Sequence, residues 1–472
     1  MSTSSQLSTS RTFDWQRWPE TEQFLGKAVC SALGGNSFAS ELDRRMAAET
    51  STRITDWIDH LVLNEQPGLV EELGRLGYER TPEPYGVNAP TFRHSGGQFP
   101  ALAVCPSPAG GPQVASLVLK VESIASFSQA NQLGLKIIGY PIGPYRFAKI
   151  DVMGAETSLI VVERRGYLGF EPFPSSWARA GRMAPHSTRD ALAARELWQS
   201  RQRHFSDDAE GFDVTDEVLG QVLERAGSVD LTCHLVFEVE RDYWESRNTA
   251  ARVQKRRQER LGLGWANHDH HTFRCSRQFF PRAISIFERL GFSLRESFHA
   301  GKDAGWGAQV LEHPTSGIVI FADLDLAPEE ADEDFAHKAL PALPRPNTVG
   351  LWVGLHGESL LDAGMHHLEA QFDFDALRTA LQNEAGIETM KPFSDFPFLR
   401  QAFTQGERWT VQPHRVNRLR ELGWIDDEQH ARFLSEGAIG SHLENLQRRE
   451  GFKGFNQQAV SAIIAETDPR RH

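Results

Sequence analysis

Two hydrophobic rhythms alternate along this chain, and one combination of them occurs twice. Ala283, Ile286, Phe287 and Leu290 fall at i, i+3, i+4 and i+7, the spacing of one buried helical face. Leu69, Leu73 and Leu76 trace nearly the same stripe. Before each stripe stands a short strand-like run opened by an Asp-His pair, Asp59-His60 and Asp269-His270. After each comes Leu-Gly-aromatic, with Gly77 and Gly291 placed where a left-handed residue ends a helix, and an extended segment follows. Charged helical stretches, 40–50 and 244–260, precede the two copies.

The order strand–helix–strand–strand–strand recurs within each half. Val114–Val121 opens a second unit that closes on Ser158–Val162, the third unit closes on Gly317–Leu326, and Gly364–Phe374 opens a fourth. The predicted fold is therefore α+β: four βαβββ units paired into two halves, with added helices. The expected organisation is a flexible N-terminus (1–20), a first half (21–170), a helical connector (171–230) and a second half (231–472). An acidic and then proline-rich stretch, 327–347, reads as a surface crossover inside the second half.

Composition narrows the functions. The 472 residues are 40% hydrophobic and 24% charged, ordinary for globular domains, and the net charge of −13 argues against nucleic acid or an anionic membrane as partner. The run Lys255-Arg256-Arg257 reads as the solvated face of a helix. Cysteines at 30, 105, 233 and 275 show no CxxC spacing, which suits reduced thiols and a cytoplasmic location. The first ten residues lack a signal-peptide core, and no apolar run approaches the roughly 20 residues of a membrane helix. Serine-hydrolase elbows and phosphate-binding glycine loops are absent.

The chemistry concentrates in WANHDHHTFRCS, residues 265–276. In an extended strand, His268, His270, Thr272 and Arg274 share one face, and His271, Phe273 and Cys275 turn the other way into a core. His270 and Arg274 then lie about 13 Å apart. That gap suits a small dicarboxylate held by a metal at one end and a guanidinium fork at the other. A second strand, GMHHLEAQFDF, offers His366 and His367. Two histidines from two strands, completed by a carboxylate, make the donor set that leaves positions open on Fe(II). In the first half His60, His94 and Glu163 are candidates for a separate site, but the strand VASLVLKV carries no histidine, so this half is expected to be scaffold.

Paired βαβββ modules opening on Asp-His strands resemble the vicinal oxygen chelate superfamily, which includes glyoxalases and extradiol dioxygenases. The second half, about 240–465, is similar to the 2-oxoadipate dioxygenase/decarboxylase family. The match runs through Asp269-His270-His271-Thr272-Phe273-Arg274, Gly291-Phe292-Ser293-Leu294-Arg295-Glu296, Lys302, His313-Pro314 and Ala322-Asp323-Leu324. It continues through His366-His367-Leu368-Glu369, Leu399-Arg400-Gln401 and Arg448-Arg449-Glu450-Gly451-Phe452 with Asn456. The resemblance implies His270 and His367 as metal ligands, and Arg274 with Arg400 as binders of substrate carboxylate. It also implies a third ligand, a Glu on a late strand in the pattern E-x-x-x-R-G. Around QAFTQGERWTVQP the nearest carboxylate is Glu407, the sole acid between Asp395 and Glu421, with Asp323 and His414 as substitutes. The implied activity is a non-haem Fe(II) oxygenase/decarboxylase using O₂ on a small 2-oxo (di)carboxylic acid. The alternatives are an oxygen-independent isomerase or lyase using Zn, Mn or Ni, and a non-catalytic ligand-binding protein.

Overall fold

Each Asp-His repeat opens the central strand of a sheet. The computed structural model describes residues 15–81, 89–106, 111–169, 188–299, 305–456, 463–464 and 466–471. Residues 1–14 of the expected flexible N-terminus, 171–187 of the connector, and Lys302 lie outside them.

The first sheet holds β1 (Ile58–Asn64), β2 (Tyr78–Thr81), β3 (Thr91–His94), β4 (Ala101–Cys105), β5 (Val114–Lys120), β6 (Tyr145–Ile150) and β7 (Ser158–Arg164). Their spatial order is β2-β3-β4-β1-β5-β7-β6. Helix Leu69–Arg75 follows β1 and helix Ile124–Ala130 follows β5, so two modules meet where β1 runs antiparallel to β5. The second module is one strand short of the expectation. A single bridge, Ile138 to Phe147, holds the place of that strand.

The second sheet repeats the plan. It contains β8 (His268–Arg274), β9 (Ser293–His299), β10 (Trp306–Glu312), β11 (Val319–Asp325), β12 (His367–Gln371), β13 (Ser394–Phe396), β14 (Leu399–Phe403), β15 (Glu407–Trp409) and β16 (Ala438–Arg448). The order is β13-β14-β16-β12-β8-β11-β10-β9, with β15 attached to β16. Again the first strands of the two modules, β8 and β12, pair antiparallel. The α+β architecture of module pairs in two halves is thus present, with helices added around it. The sequence pattern did not anticipate β16 as the closing strand of the fourth module. Helices Pro413–Glu421 and Asp427–Glu436 intervene between β15 and β16 and displace that strand some thirty residues beyond its expected place.

Strand alternation sorts the residues of each sheet. One face packs under helices: Phe273 of β8 and Cys275 just beyond it are buried with Ala283, Ile286 and Phe287 of helix Phe280–Arg289. Full burial of a ring such as Phe273 contributes roughly 1.5–3 kcal/mol. That helix stops because Gly291 adopts φ 92°, and a Cβ there would stand 2.8 Å from His313 Nε2. Gly77 repeats the arrangement at φ 84°, with a Cβ position 2.5 Å from His94 Nε2. The intervening helices Thr188–Gln199, Asp208–Ala226 and Val229–Ser246 feed Trp198, Phe212 and Phe237 into the second half's core. No helix among the described residues is long and apolar enough to cross a membrane. Cys30, Cys105, Cys233 and Cys275 are free thiols.

Candidate metal centre

The other face of the second sheet is concave and polar. Register places Glu369 opposite His270 and His367 opposite Thr272 across β8 and β12. One strand further, Glu444 lies beside Glu369, and His442 beside His367. On the opposite flank Asp323 of β11 faces Arg274. Cross-strand partners share a face, so these side chains point the same way. His270, Thr272, Arg274, Asp323, His367 and Glu444 line a cavity of about 360 Å³, which also takes Gln98 and Phe99 from the first half. Gln98 donates to Asp269 at 2.8 Å, and its backbone N–H donates to the Gly451 carbonyl at 2.9 Å. The loop after β3 thereby closes one wall of the cavity.

Within it, donor atoms of His270, His367 and Glu444 all lie within 4.8 Å of one another. His367 Nε2 is 3.1 Å from Glu444 Oε2 and 2.8 Å from the Thr272 hydroxyl. Its Nδ1 meets His366 Nδ1 at 2.8 Å. The Gln401 amide donates to both Glu369 (2.8 Å) and Glu444 (3.1 Å). Arg448 donates to Asp269 at 3.2 Å and stands 3.9 Å from Glu369. Asp269, His270 and Glu369 form a second cluster of metal-ligating types. Its Asp269 is already engaged by Arg448, Gln98 and Gln371, whereas Glu444 accepts from the Gln401 amide, so the first cluster is the better cradle.

The electrostatics point the same way. Burial works against a charged His270, but Glu369 and Asp269 hold its pKa up at about 10. Burial and the facing Glu369 push Glu444 well above the usual carboxylate range. Burial, with His270, His442 and Arg274 nearby, drives His367 far below its ordinary value, so it presents a neutral imidazole. Burial would raise Asp269 too, yet Arg448 and His270 outweigh it and keep it ionised. The buried Glu369 and Glu444 and the half-buried Asp269 therefore share Arg448 and the protonated His270 as their cations. A divalent ion taking the place of the protons on His270 and Glu444 would satisfy the same carboxylates, and two imidazoles with a carboxylate suit it chemically.

Arg274 lines the cavity, 1% exposed, with its Nε lacking a hydrogen-bond partner and its guanidinium 5.5 Å from the Trp352 ring centroid. Burial lowers its pKa to about 10, against the pull of Asp323. Asp323 is itself lifted to about 7 by burial. Arg400 lies elsewhere. It alternates with the cavity-facing Gln401, so it points outward to Asp375 (2.6 Å) and Asp395 (2.9 Å) over the Phe374 ring. Glu407 also stands outside the cluster: its carboxylate accepts from Thr249 N (3.0 Å) and Thr249 Oγ1 (3.1 Å) at the start of helix Thr249–Glu259. His414 is exposed in the first turn of Pro413–Glu421.

In the first half, His94 Nε2 donates to the Leu76 carbonyl at 3.0 Å and sits over Gly77, as His313 does over Gly291. Glu163 is taken by Arg146 (3.0 Å), Arg165 (2.6 Å) and the Ile124 N–H. His60 bonds Asp59 at 2.6 Å. Among the described residues no metal-ligating cluster forms in this half.

Glu444 is the residue that sequence reasoning missed, although its signal is present. Glu444-Asn445-Leu446-Gln447-Arg448 carries the E-x-x-x-R spacing directly ahead of the Arg-Glu-Gly-Phe segment, with Arg449 where the pattern has Gly.

No protein-family profile matches the chain, and no curated protein sequence matches it. Similar solved structures exist at low identity. A glyoxalase-superfamily protein described as putative, from Ralstonia eutropha JMP134, is 14% identical over 57% of this chain and 97% of its own, with a TM-score of 0.32. A substituted 4-hydroxymandelate synthase from Streptomyces coelicolor is 11% identical over 88% and 98%, with a TM-score of 0.25. Methylmalonyl-CoA epimerase from Mycobacterium tuberculosis is 14% identical over 39% and 89%, with a TM-score of 0.22. At these scores the fold rests on strand order and module pairing, which are those of paired βαβββ halves, the second with a polar face that carries the candidate metal ligands.

Proposed function

We propose that this chain is a metal-dependent oxygenase/decarboxylase acting on a small 2-oxo (di)carboxylic acid, with Fe(II) as the ion and O₂ as co-substrate. One observation carries the reading: His270, His367 and Glu444 converge in a buried cavity whose same face presents the buried Arg274. Bound there, the ion would supply Lewis acidity toward a 2-oxo carboxylate and, as iron, the electrons for dioxygen chemistry. The chain's own groups do the rest. Thr272 and His366 fix the orientation of the His367 ring, and Gln401 holds Glu369 and Glu444 apart from solvent. Arg274 offers a planar fork to the substrate's far carboxylate. Asp323, beside it, holds a proton on its carboxyl near neutrality and so adds a donor there instead of repelling the anion. Phe321 and Phe403 wall the site and exclude water.

The test is elemental analysis of the purified protein together with O₂ uptake and CO₂ release on a panel of 2-oxo mono- and dicarboxylic acids. The expected result is one ion per chain and uptake of O₂ matched to loss of substrate. Turnover without O₂ uptake would move the reading to oxygen-independent isomerase or lyase chemistry. Stoichiometric binding without turnover would make the protein a binding module.

A further inference from the structure

A second, much smaller cavity of about 20 Å³ lies where the two halves meet. Lys120 and Glu122 after β5, Arg165 after β7, Arg241 of helix Val229–Ser246, His268 and Ser316 are among its walls. Its charges do not balance. Lys120, Arg164, Arg165 and Arg241 line it with two wall carboxylates, Glu122 and Glu163, and Asp59 behind the wall pairs with Arg164. Those two carboxylates also serve cations from outside the wall: Glu122 is bound by Lys255, and Glu163 by Arg146.

Arg241 is the decisive residue. It is 3% exposed, its one ion-pair contact is Glu122 at a long 3.5 Å, and its Nε and Nη1 have no hydrogen-bond partner. Lys120, half-buried on the opposite wall, has no ion pair or hydrogen bond among the described residues. Unpaired buried donors such as Arg241 Nε and Nη1 are costly and require a partner. Burial and the surrounding cations also push Lys120 and His234 below their ordinary values, as expected in a positive potential. The space admits one body about the size of a water molecule. A surplus of positive charge around so small a volume selects a monatomic anion over water, and excludes phosphate or a carboxylic acid by size.

We propose that this cavity binds a chloride ion, held by Arg241 and Lys120, which ties the first half to the helix Val229–Ser246 of the second. Halide then binds the folded chain and not the unfolded one, so it stabilises by mass action.

The experiment is thermal unfolding of the full chain in sodium chloride, sodium bromide and sodium gluconate at matched ionic strength, so that screening is equal and only size differs. The expected result is a saturable rise in Tm of about 2–4 °C with either halide over gluconate. Lys120→Met, chosen because its side chain has no partner to strand, should lose that rise. Crystals grown in bromide should show an anomalous peak beside Arg241 Nη1. Equal Tm in chloride and gluconate overturns the proposal, as does a halide effect undiminished in Lys120→Met. A cavity holding water only, with no anomalous peak, overturns it equally.

Discussion

The two halves use one backbone plan and differ in what stands on it. In the second, His270 faces Glu369, which neighbours Glu444; in the first, His60 faces Val118, which neighbours Ile160. Where Thr272 faces His367, Val62 faces Ser116. Even the outer pairing is kept: Arg448 bonds Asp269, and Arg164 grips Asp59 through two bonds of 2.5 and 2.6 Å. The first half retains one histidine of the set, and Tyr145, Phe147 and Tyr167 pack against Val118 and Ile160 where the second half keeps a cavity. The three candidate ligands thus stand at three register positions with empty space before them, and of these the first half keeps only His60.

The sharpest way to break the comparison is to remove ligands from each half. His270→Ala, His367→Ala or Glu444→Ala should abolish stoichiometric metal, while His60→Ala and Glu407→Gln should retain it; elemental analysis of folded protein reads the difference. Wild-type metal in Glu444→Ala would return the third ligand to another residue.

Next in size is the reciprocal exchange of carboxylate and isoleucine. Ile160→Glu buries an unpaired charge in the apolar cluster and should destabilise by roughly 3–5 kcal/mol. Glu444→Gln, which removes a carboxyl that burial already disfavours as an anion, should leave the metal-free protein as stable or more so. Denaturant midpoints measured in chelator decide it, and equal losses from the two would erase the contrast.

Arg274→Lys keeps the charge and loses the fork. It should weaken acidic substrate by about 1–3 kcal/mol, seen as a raised KM at unchanged metal content. The equivalent position in the first half is Asn64, whose amide donates to the Pro112 carbonyl at 2.6 Å. Asn64→Asp should leave KM untouched.

The smallest effect concerns Asp323. Its folded pKa of about 7 lies above the ordinary 3.8, so its contribution to stability is complete below about pH 4 and is lost as pH rises through 7. Asp323→Asn cannot ionise, and in the metal-free protein it should melt on the order of 2–4 °C higher than wild type at pH 8. At pH 4 the difference should vanish. Parallel Tm curves across that range would remove the buried-acid account.

Much of this was legible in the sequence because period-two alternation is a local property. The face shared by His268, His270, Thr272 and Arg274, the core face of Phe273 and Cys275, and the glycine stops at 77 and 291 all follow from neighbours in the chain. Glu407 and Arg400 show where that reasoning ends. Which strand lies beside β12 is a matter of topology, and two inserted helices carry the pairing strand past the segment where spacing placed it. Arg400 and Gln401 are adjacent, and only the parity of β14 against β16 decides which one sees the cavity. The second half's Glu444 needed a partner strand to be recognised, whereas its histidines needed only their own.

The wall contributed by the loop after β3 has a consequence for assembly. Gln98 reaches Asp269, Trp18 N–H donates to the Glu450 carbonyl at 2.8 Å, and a Cβ on Gly451 would strike the Phe99 ring. The cavity is thus built like the interface of a dimer whose two subunits share one polypeptide. Covalent linkage makes the meeting of those partners intramolecular, at an effective concentration that dilution does not change. The cavity then forms at any dilution of the chain, and the first half works as a permanently tethered subunit.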